Sequence, residues 1–228
     1  MRYDILASAL NTDSFKKLTE FFSKQKKIHY KRREIILRPG DNPMGVFYLR
    51  KGFVRLYNIS ADGKELSLII FKPEDIFPLM WAINNTSNNH YVEAMTAVEL
   101  WRCPKNQFVS FLKENPEVFF TLMQGMLIRF DALLERMEQL VFGNAYQKIA
   151  SIVYLCCERF GVLEGTNMVI PLSLTHRDIA SLIGVTRETV SIEIKKLEKK
   201  KILEYRGRLV VVRDAKRLRR ESLLTIEY

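Results

Sequence analysis

The pattern of apolar and polar residues changes along the chain, and its first part predicts strands. From Ile35 to about Cys103, short runs rich in β-branched and aromatic side chains alternate with turn signals at Pro39-Gly40, Lys51-Gly52 and Asp62-Gly63. Frequent short strands at this spacing predict a β-sandwich or jelly roll. A brief helical pattern in residues 1–30 precedes them.

A long helix is predicted from about Glu117 to Phe142. Its apolar residues recur in steps of three and four, as in a heptad repeat. These residues are Met123, Met126, Phe130, Leu133, Met137 and Leu140. Leu127, Leu134 and Val141 widen the stripe, so the helix can pack on the β-domain and on a second copy of the chain. We expect the six residues to form a dimer interface; the alternative is a core helix of a monomer.

The stretch from Leu174 to Gly207 has the pattern of a helix-turn-helix followed by a wing. Thr175 and a carboxylate three residues later have the spacing of a capping box at the start of a first helix. Gly184 can adopt positive φ and so permits a tight turn. Thr186 then occupies the N-cap position of a second helix.

The second helix of this motif has one apolar face, formed by Val190, Ile194 and Leu197. The opposite face carries Arg187, Glu188, Ser191 and Ile192. A guanidinium, a carboxylate and a hydroxyl can read base edges in the major groove of DNA. Ile202-Leu203 and Leu209–Val212 then flank Arg206-Gly207, and glycine at a two-residue turn predicts a short hairpin. A charged surface helix that merely follows a glycine is the alternative.

These elements together predict an α+β fold with an N-terminal β-roll (jelly roll), a long helix and a C-terminal winged helix-turn-helix. Gly143 weakens the long helix, and Asn144 can cap the next one. We therefore expect a β-roll domain with an N-terminal helix at 1–116, a dimerisation helix at 117–143 and a DNA-binding domain at 144–228.

Charge strengthens the DNA-binding interpretation. The formal net charge is +10, and residues 187–220 contain thirteen Lys or Arg residues against five Asp or Glu. A basic surface attracts phosphates and binds them with an affinity that falls with salt. A solvated Lys-rich helix face gives a similar count.

Composition also excludes several classes of protein. No apolar run approaches the roughly 18 residues that span a bilayer, and the first residues lack a signal-peptide pattern, so we expect a cytoplasmic protein without membrane contact. Cys103, Cys156 and Cys157 lack metal-ligand spacing. His29, His90 and His176 are too scattered for a jelly-roll metalloenzyme. We expect no metal, no catalytic residues and no enzymatic activity.

The motifs together resemble the Crp–Fnr family of bacterial transcription factors, named after the cyclic AMP receptor and the fumarate-nitrate reductase regulator. The similarity rests on Gly40, on the segment FYLRKGFVRLY, on the turn at Asp62–Glu65 and on LTHRDIASLIGVTRETVS. The resemblance implies a homodimer that binds an inverted-repeat operator, with one half-site per reading helix. It also implies a sensor domain that repositions those helices, and RNA polymerase as a partner if the protein activates transcription.

The resemblance implies roles for individual residues. Arg187 and Glu188 match positions that contact bases or orient neighbouring contacts, and Ser191 matches a further contact. Where part of the family has a second base-reading arginine, this chain has Ile192, which offers an apolar contact to a thymine methyl. The expected phosphate contacts are Thr175, Thr186, Thr189, Lys195 and Arg208.

The effector site departs from the family pattern. The Gly-Glu pair that holds the ribose corresponds to Pro78-Leu79, and the Arg-Ser pair that holds the phosphate corresponds to Asn88-Asn89. Because a buried cyclic phosphate needs a cation, we expect no binding of cyclic AMP. Without a cysteine before Cys103, or a cysteine near His90, we expect neither an iron–sulfur cluster nor haem.

No cofactor is therefore predicted, and the effector is not identified. The residues that could line an apolar effector pocket are Phe77, Leu79, Met80, Trp81, Phe130, Leu133 and Leu134. The alternative is a filled core in a regulator that works without an effector. A nonspecific, architectural DNA-binding protein is the competing function, because it needs the basic charge but no base-reading face.

Overall fold

The computed structural model describes residues 12–223, which form eight helices and twelve strands. The described residues divide into two compact units. One contains residues 12–58 and 68–129, and the other contains residues 59–67 and 130–223. The predicted α+β fold, with a β-roll, a long helix and a winged helix-turn-helix, is confirmed. The predicted boundaries at 116/117 and 143/144 stay a prediction.

The β-roll consists of two four-stranded sheets, ordered β1-β8-β3-β6 and β2-β7-β4-β5. The strands are β1 Lys26–Tyr30, β2 Ile35–Leu37, β3 Val46–Lys51, β4 Val54–Ile59, β5 Glu65–Phe71, β6 Ile76–Phe77, β7 Tyr91–Ala94 and β8 Val98–Cys103. The helices of this part of the chain are α1 Thr12–Ser23, α2 Leu79–Asn84 and α3 Lys105–Glu114.

The two sheets enclose an apolar core. Val54, Val92 and Ala94 belong to it, because alternate side chains of paired antiparallel strands point to the same face. A second cluster lies under α1 and α3 and contains Phe22 and Phe108. These clusters explain why the runs of alternating apolar residues form a roll.

The turns between these strands lie where the sequence predicts them. Gly40, Gly52 and Gly63 all have positive φ. At Gly52 a side chain is also excluded by space, since a Cβ atom there would lie 2.3 Å from the carbonyl oxygen of Ala97. Glycine is therefore required at this turn for two reasons: it adopts positive φ without strain, and it has no Cβ atom to clash.

Three helices and four strands are absent from the sequence prediction. They are α2, α3, a C-terminal helix, α8 Ala215–Glu221, and the strands β1, β6, Val162–Glu164 and Asn167–Ile170. Each is short, and α3 and α8 acquire their stability from packing. Phe108 and Leu112 of α3 are buried in the cluster under α1, and Leu218 of α8 is fully buried. Short amphipathic segments give little sequence signal because most helical stability comes from such tertiary contacts.

The long helix α4 spans Pro116–Phe142, as the heptad pattern predicts. After it, Asn144 caps the next helix in a capping box with Gln147. The elements that follow are α5 Ala145–Phe160, β9 Val162–Glu164, β10 Asn167–Ile170, α6 His176–Ile183, α7 Arg187–Lys199, β11 Leu203–Arg206 and β12 Leu209–Val212. Their strands form one sheet, ordered β11-β12-β10-β9.

Candidate nucleic-acid interface

Helix α6 is capped as the sequence predicts. The Thr175 side chain accepts a hydrogen bond from the Asp178 backbone N–H, and the Asp178 carboxylate accepts one from the Thr175 backbone N–H at 2.8 Å. The helix ends at Gly184, whose φ of +71° lies in the left-handed region. The predicted helix–turn geometry is therefore present.

Helix α7 begins directly after this turn and has two different faces. Thr186 caps it by accepting from the Thr189 backbone N–H. Val190, Ile194 and Leu197 are fully buried and hold the helix on the rest of its unit. Their spacing at i, i+4 and i+7 leaves the opposite face in solvent.

The four residues predicted to read bases lie near the exposed start of α7. Arg187 and Glu188 are exposed, and Ser191 is half-buried. Ile192 is 58% exposed, which is unusual for a large apolar side chain within an ordered helix. The arrangement presents a cation, a carboxylate, a hydroxyl and an apolar group on one surface.

The residues predicted to contact phosphates differ in how available they are. Lys195 and Arg208 are exposed. The Thr186 and Thr189 hydroxyl oxygens lie 3.0 Å apart on the surface. The Thr175 hydroxyl instead donates to the Asp178 carboxylate at 2.6 Å, so its proton is already used within the chain.

The wing is a β-hairpin whose turn consists of Gly207 and Arg208, one residue later than predicted, because Arg206 still pairs with Leu209. Gly207 has a φ of +66°. Tyr205 anchors it by donating from its hydroxyl to the Leu174 carbonyl oxygen at 3.0 Å, and its ring packs edge-on against His176. Burial raises the pKa of Tyr205. This anchor, which was not predicted from the sequence, fixes the wing beside the start of α6.

Two ion pairs on the same unit were also not predicted. Arg206 of the wing lies 3.2 Å from the Glu164 carboxylate on the neighbouring hairpin. Lys200, just after α7, lies 2.8 Å from Glu221 of α8 and also donates to the Tyr146 hydroxyl. This contact lowers the pKa of Glu221 and raises that of Lys200. The pairs connect residues far apart in sequence.

The long helix carries a continuous apolar surface. The large apolar residues exposed on α4 are Phe119, Phe120, Met123, Met126, Leu127, Phe130, Leu133, Leu134, Met137, Val141 and Phe142. Five of the six residues predicted for a dimer interface belong to this set, and the sixth, Leu140, is half-buried. The opposite side of α4 is partly or fully buried, for example at Val118 and Gln139. So large an exposed apolar patch is typical of a protein contact surface.

The β-roll residues suggested for an effector pocket lie in different environments. Phe77 is buried in the core and stacks on Phe47 and Phe71, with ring centroids 5.5 and 4.9 Å away. Leu79 and Trp81 pack against the second cluster, and Met80 is exposed. Phe77 therefore fills the core of the roll.

The other three residues of that set, Phe130, Leu133 and Leu134, are exposed on α4.

Asn88, the first of the two positions that correspond to the family's phosphate-binding pair, has a structural role. The buried Asn88 side chain donates to the carbonyl oxygens of Arg38 and His90, at 2.6 and 2.9 Å. The nearest arginine before this loop in sequence, Arg55, lies 2.9 Å from the Glu93 carboxylate and stacks on Tyr57. Each of these polar side chains is engaged within the β-roll.

The cysteines are buried. Burial raises the pKa of Cys103 and of Cys157 to about 11, and that of Cys156 to about 12. Such thiols stay protonated near neutral pH. Across residues 12–223, no three His, Cys, Asp or Glu side chains converge as a metal site requires. No helix in that range combines the length and apolar character needed to cross a membrane.

Comparisons with known proteins agree for both parts of the chain. Residues 27–115 match the family described as the cyclic nucleotide-binding domain, and residues 147–221 match the Crp-like helix-turn-helix domain. The global nitrogen regulator of Nostoc sp. is 28% identical over 84% of this chain and 87% of its own length. The CRP-like cAMP-activated global transcriptional regulator of Mycobacterium tuberculosis is 24% identical over 81% of both chains.

The fold is also that of a solved protein. The structure of FixK2 from Bradyrhizobium japonicum covers 87% of this chain and 97% of its own, with a TM-score of 0.75 and 23% identity. At this identity the similarity concerns the fold. It includes both the β-roll and the helix-turn-helix.

Proposed function

We propose that this chain, which belongs to the Crp–Fnr family of DNA-binding transcription regulators, acts as a homodimer on an inverted-repeat operator. Each protomer places helix α7 in the major groove of one half-site. The observation that carries the proposal is the composition of the exposed face of α7. Arg187, Glu188, Ser191 and Ile192 lie on it while the opposite face is fully buried.

These four residues suit direct reading of bases. Arginine can donate two hydrogen bonds to guanine O6 and N7, and glutamate can accept from cytosine N4. Ile192 has no hydrogen-bonding group and discriminates by contact with a thymine methyl. We propose that Thr175, Thr186, Thr189, Lys195 and Arg208 contact phosphates, which position the protein without selecting a sequence. Thr175 must first release the Asp178 carboxylate.

The exposed apolar face of α4 supports the homodimer. An apolar stripe at heptad spacing pairs best with the same stripe on a second copy of the helix. Such pairing buries the side chains from Met123 to Met137 that are exposed in one chain. A two-fold dimer then presents two copies of α7, about 34 Å or one turn of DNA apart, which matches an inverted repeat.

We further propose that cyclic AMP is not the effector, although a relative bears that nucleotide in its name. Pro78 and Leu79 offer no carboxylate to a ribose, and Asn88 is occupied by backbone carbonyls. Calorimetric titration with cyclic AMP should give no binding heat. Saturable binding together with increased operator affinity would overturn this point.

Two expectations about partner and location follow from the same proposal. Contact with RNA polymerase is expected if the protein activates transcription. A regulator of this kind acts where the chromosome lies, so we place it in the cytoplasm.

The experiment that tests the proposal is selection of bound DNA from a random pool by the purified protein, without added ligand. We expect an enriched inverted repeat. Binding to all sequences alike, with a steep dependence on salt, would instead favour the architectural function. The same selection with α7 variants identifies which base each residue reads.

A further inference from the structure

Two arginines on the long helix make specific contacts on its buried side. Arg129 and Arg136 are seven residues apart, which places them on the same side of α4, two turns from each other. The Arg129 guanidinium binds the buried Asp75 carboxylate. Arg136, by contrast, contacts backbone oxygens of two elements that are distant in sequence.

Arg136 connects three elements of one unit. Its Nη2 atom donates to the Ser67 carbonyl oxygen of β5 at 2.5 Å and to the Leu182 carbonyl oxygen in the last turn of α6. The last carbonyls of a helix have no partner within it, and the helix dipole favours a cation there. Burial lowers the pKa of Arg136, but an arginine remains charged at neutral pH.

A second contact joins the same elements. The Ser67 and Ser181 hydroxyl oxygens lie 2.9 Å apart, and both residues are buried. Glu65 and Arg177 approach to 3.7 Å beside them. We call the group formed by Arg136, Ser67, Ser181 and the Leu182 carbonyl the Arg136 clamp. Buried polar groups of this kind are costly to leave unpaired, so the clamp resists local rearrangement.

The clamp acts at the end of α6 that leads into the reading helix. Leu182 is two residues before Gly184, and Thr186, two residues further, caps α7. Holding the Leu182 carbonyl against α4 therefore restricts the turn and the start of α7. If the turn and the start of α7 are already ordered in the free protein, less conformational entropy is lost when DNA binds.

We propose that Arg136 is a positioning residue for DNA recognition, which orients the reading helix α7 relative to the long helix α4. The proposal rests on α7 being the helix that reads DNA. Arg136 is not one of the residues proposed to contact bases or phosphates. Its removal affects recognition of the operator because the base-reading residues are then held in a wider range of orientations.

Two spin labels in one chain measure this orientation directly. The substitutions Glu138→Cys and Lys199→Cys introduce label sites at exposed positions of α4 and α7, while the native cysteines are buried. Dilution of the labelled chain with an excess of unlabelled chain isolates the distance within one chain, whether it is a monomer or a dimer. The variants to compare are Arg136→Gln, Arg136→Lys, Ser181→Ala and, as the matched control, Arg129→Gln.

We expect Arg136→Gln to broaden the distance distribution and to lower operator affinity about tenfold, with random-duplex affinity unchanged. Arg136→Lys keeps the charge, but its ammonium lies closer to the α4 backbone than the Nη2 atom that reaches both carbonyls, so its effect should be intermediate. Ser181→Ala should show a smaller broadening. Arg129→Gln should match the wild type in both readouts, because its partner is Asp75.

Two results would overturn the proposal. One is a lower melting temperature of Arg136→Gln with an unchanged distance distribution and unchanged operator preference, which means that the arginine only stabilises the fold. The other is tighter operator binding by Arg136→Gln, which means that the clamp holds an inactive arrangement. If the wild-type protein binds all DNA sequences alike, the proposed sequence-specific function is wrong. The distance distributions still show, independently, whether Arg136 orients α7.

Discussion

Helices α4 and α7 both expose one face, and the two faces have opposite chemistry. Along α4 most of the exposed side chains between Phe119 and Phe142 are large and apolar. Near the start of α7 they are mainly charged or polar, with Ile192 as the apolar exception. Each helix buries its other face, so neither exposed face is needed for the fold of a single chain.

The difference indicates which partner each face accepts. Apolar surface gains free energy when it leaves water, which favours another apolar helix. A charged face keeps its hydration until a partner supplies hydrogen bonds and opposite charge, as DNA does. On our proposal, self-association and DNA reading are therefore separated on two different helices of one chain.

The largest expected effect comes from placing a charge on the α4 face. Leu133→Glu should convert the dimer into a monomer, because the carboxylate would lie in an apolar interface. Operator affinity should then fall at least about 100-fold, since the two half-sites are no longer bound together. Sedimentation and DNA titration measure the two consequences.

Gln124→Glu is the matched control for that substitution, because it adds the same charge to an exposed polar position of α4. It should remain dimeric. A dimeric Leu133→Glu protein would exclude this face of α4 as the interface.

The next largest effect concerns the charged face of α7. Arg187→Ala should cost about 1–3 kcal/mol of binding free energy on the operator and relax the preference for one base pair. Lys195→Ala should instead weaken operator and random DNA alike and reduce the salt slope by about one. An equal loss on both DNAs for Arg187→Ala would make Arg187 a phosphate contact.

A smaller effect is expected at Ile192, the apolar residue on that face. Ile192→Ala should cost about 1 kcal/mol on the operator, as the methyl contact to a thymine is lost. On an operator with cytosine in place of that thymine, the wild type and the variant should bind equally. A loss of the same size on both operators would show that Ile192 does not read the base.

The smallest effect concerns pH. Burial lowers the pKa of His176 from its ordinary value of 6.5, and the nearby Glu198 carboxylate opposes this shift. The unfolded chain therefore takes up a proton at a higher pH than the folded chain. This contribution to stability is complete above pH 6.5 and is lost as the pH falls below it.

His176→Asn should flatten the dependence of melting temperature on pH between about 7.5 and 5.5. Part of the slope should remain, because burial also lowers the pKa of His90. An unchanged slope would remove His176 as a contributor.

Local features of the DNA-binding part were predictable in detail. The caps at Thr175 and Thr186 act on backbone groups three residues away, and the turn at Gly184 depends on one residue's φ. Interactions between residues so close in the chain can be recognised from the residue types at a fixed short spacing. The β-roll was predicted by its runs of apolar residues and turns, but the pairing of its strands was not.

By itself, the sequence determined the α+β fold class, the long helix and the two faces of α4 and α7, because periodicity and capping operate within a few residues. Only the tertiary structure decided which surfaces pack against each other. Arg136 contacts Ser67 and Leu182, which are 69 and 46 residues away in sequence. The Tyr205 hydroxyl contacts Leu174, which is 31 residues away. Contacts over such separations leave no periodic signal, because they arise only when packing brings distant elements together.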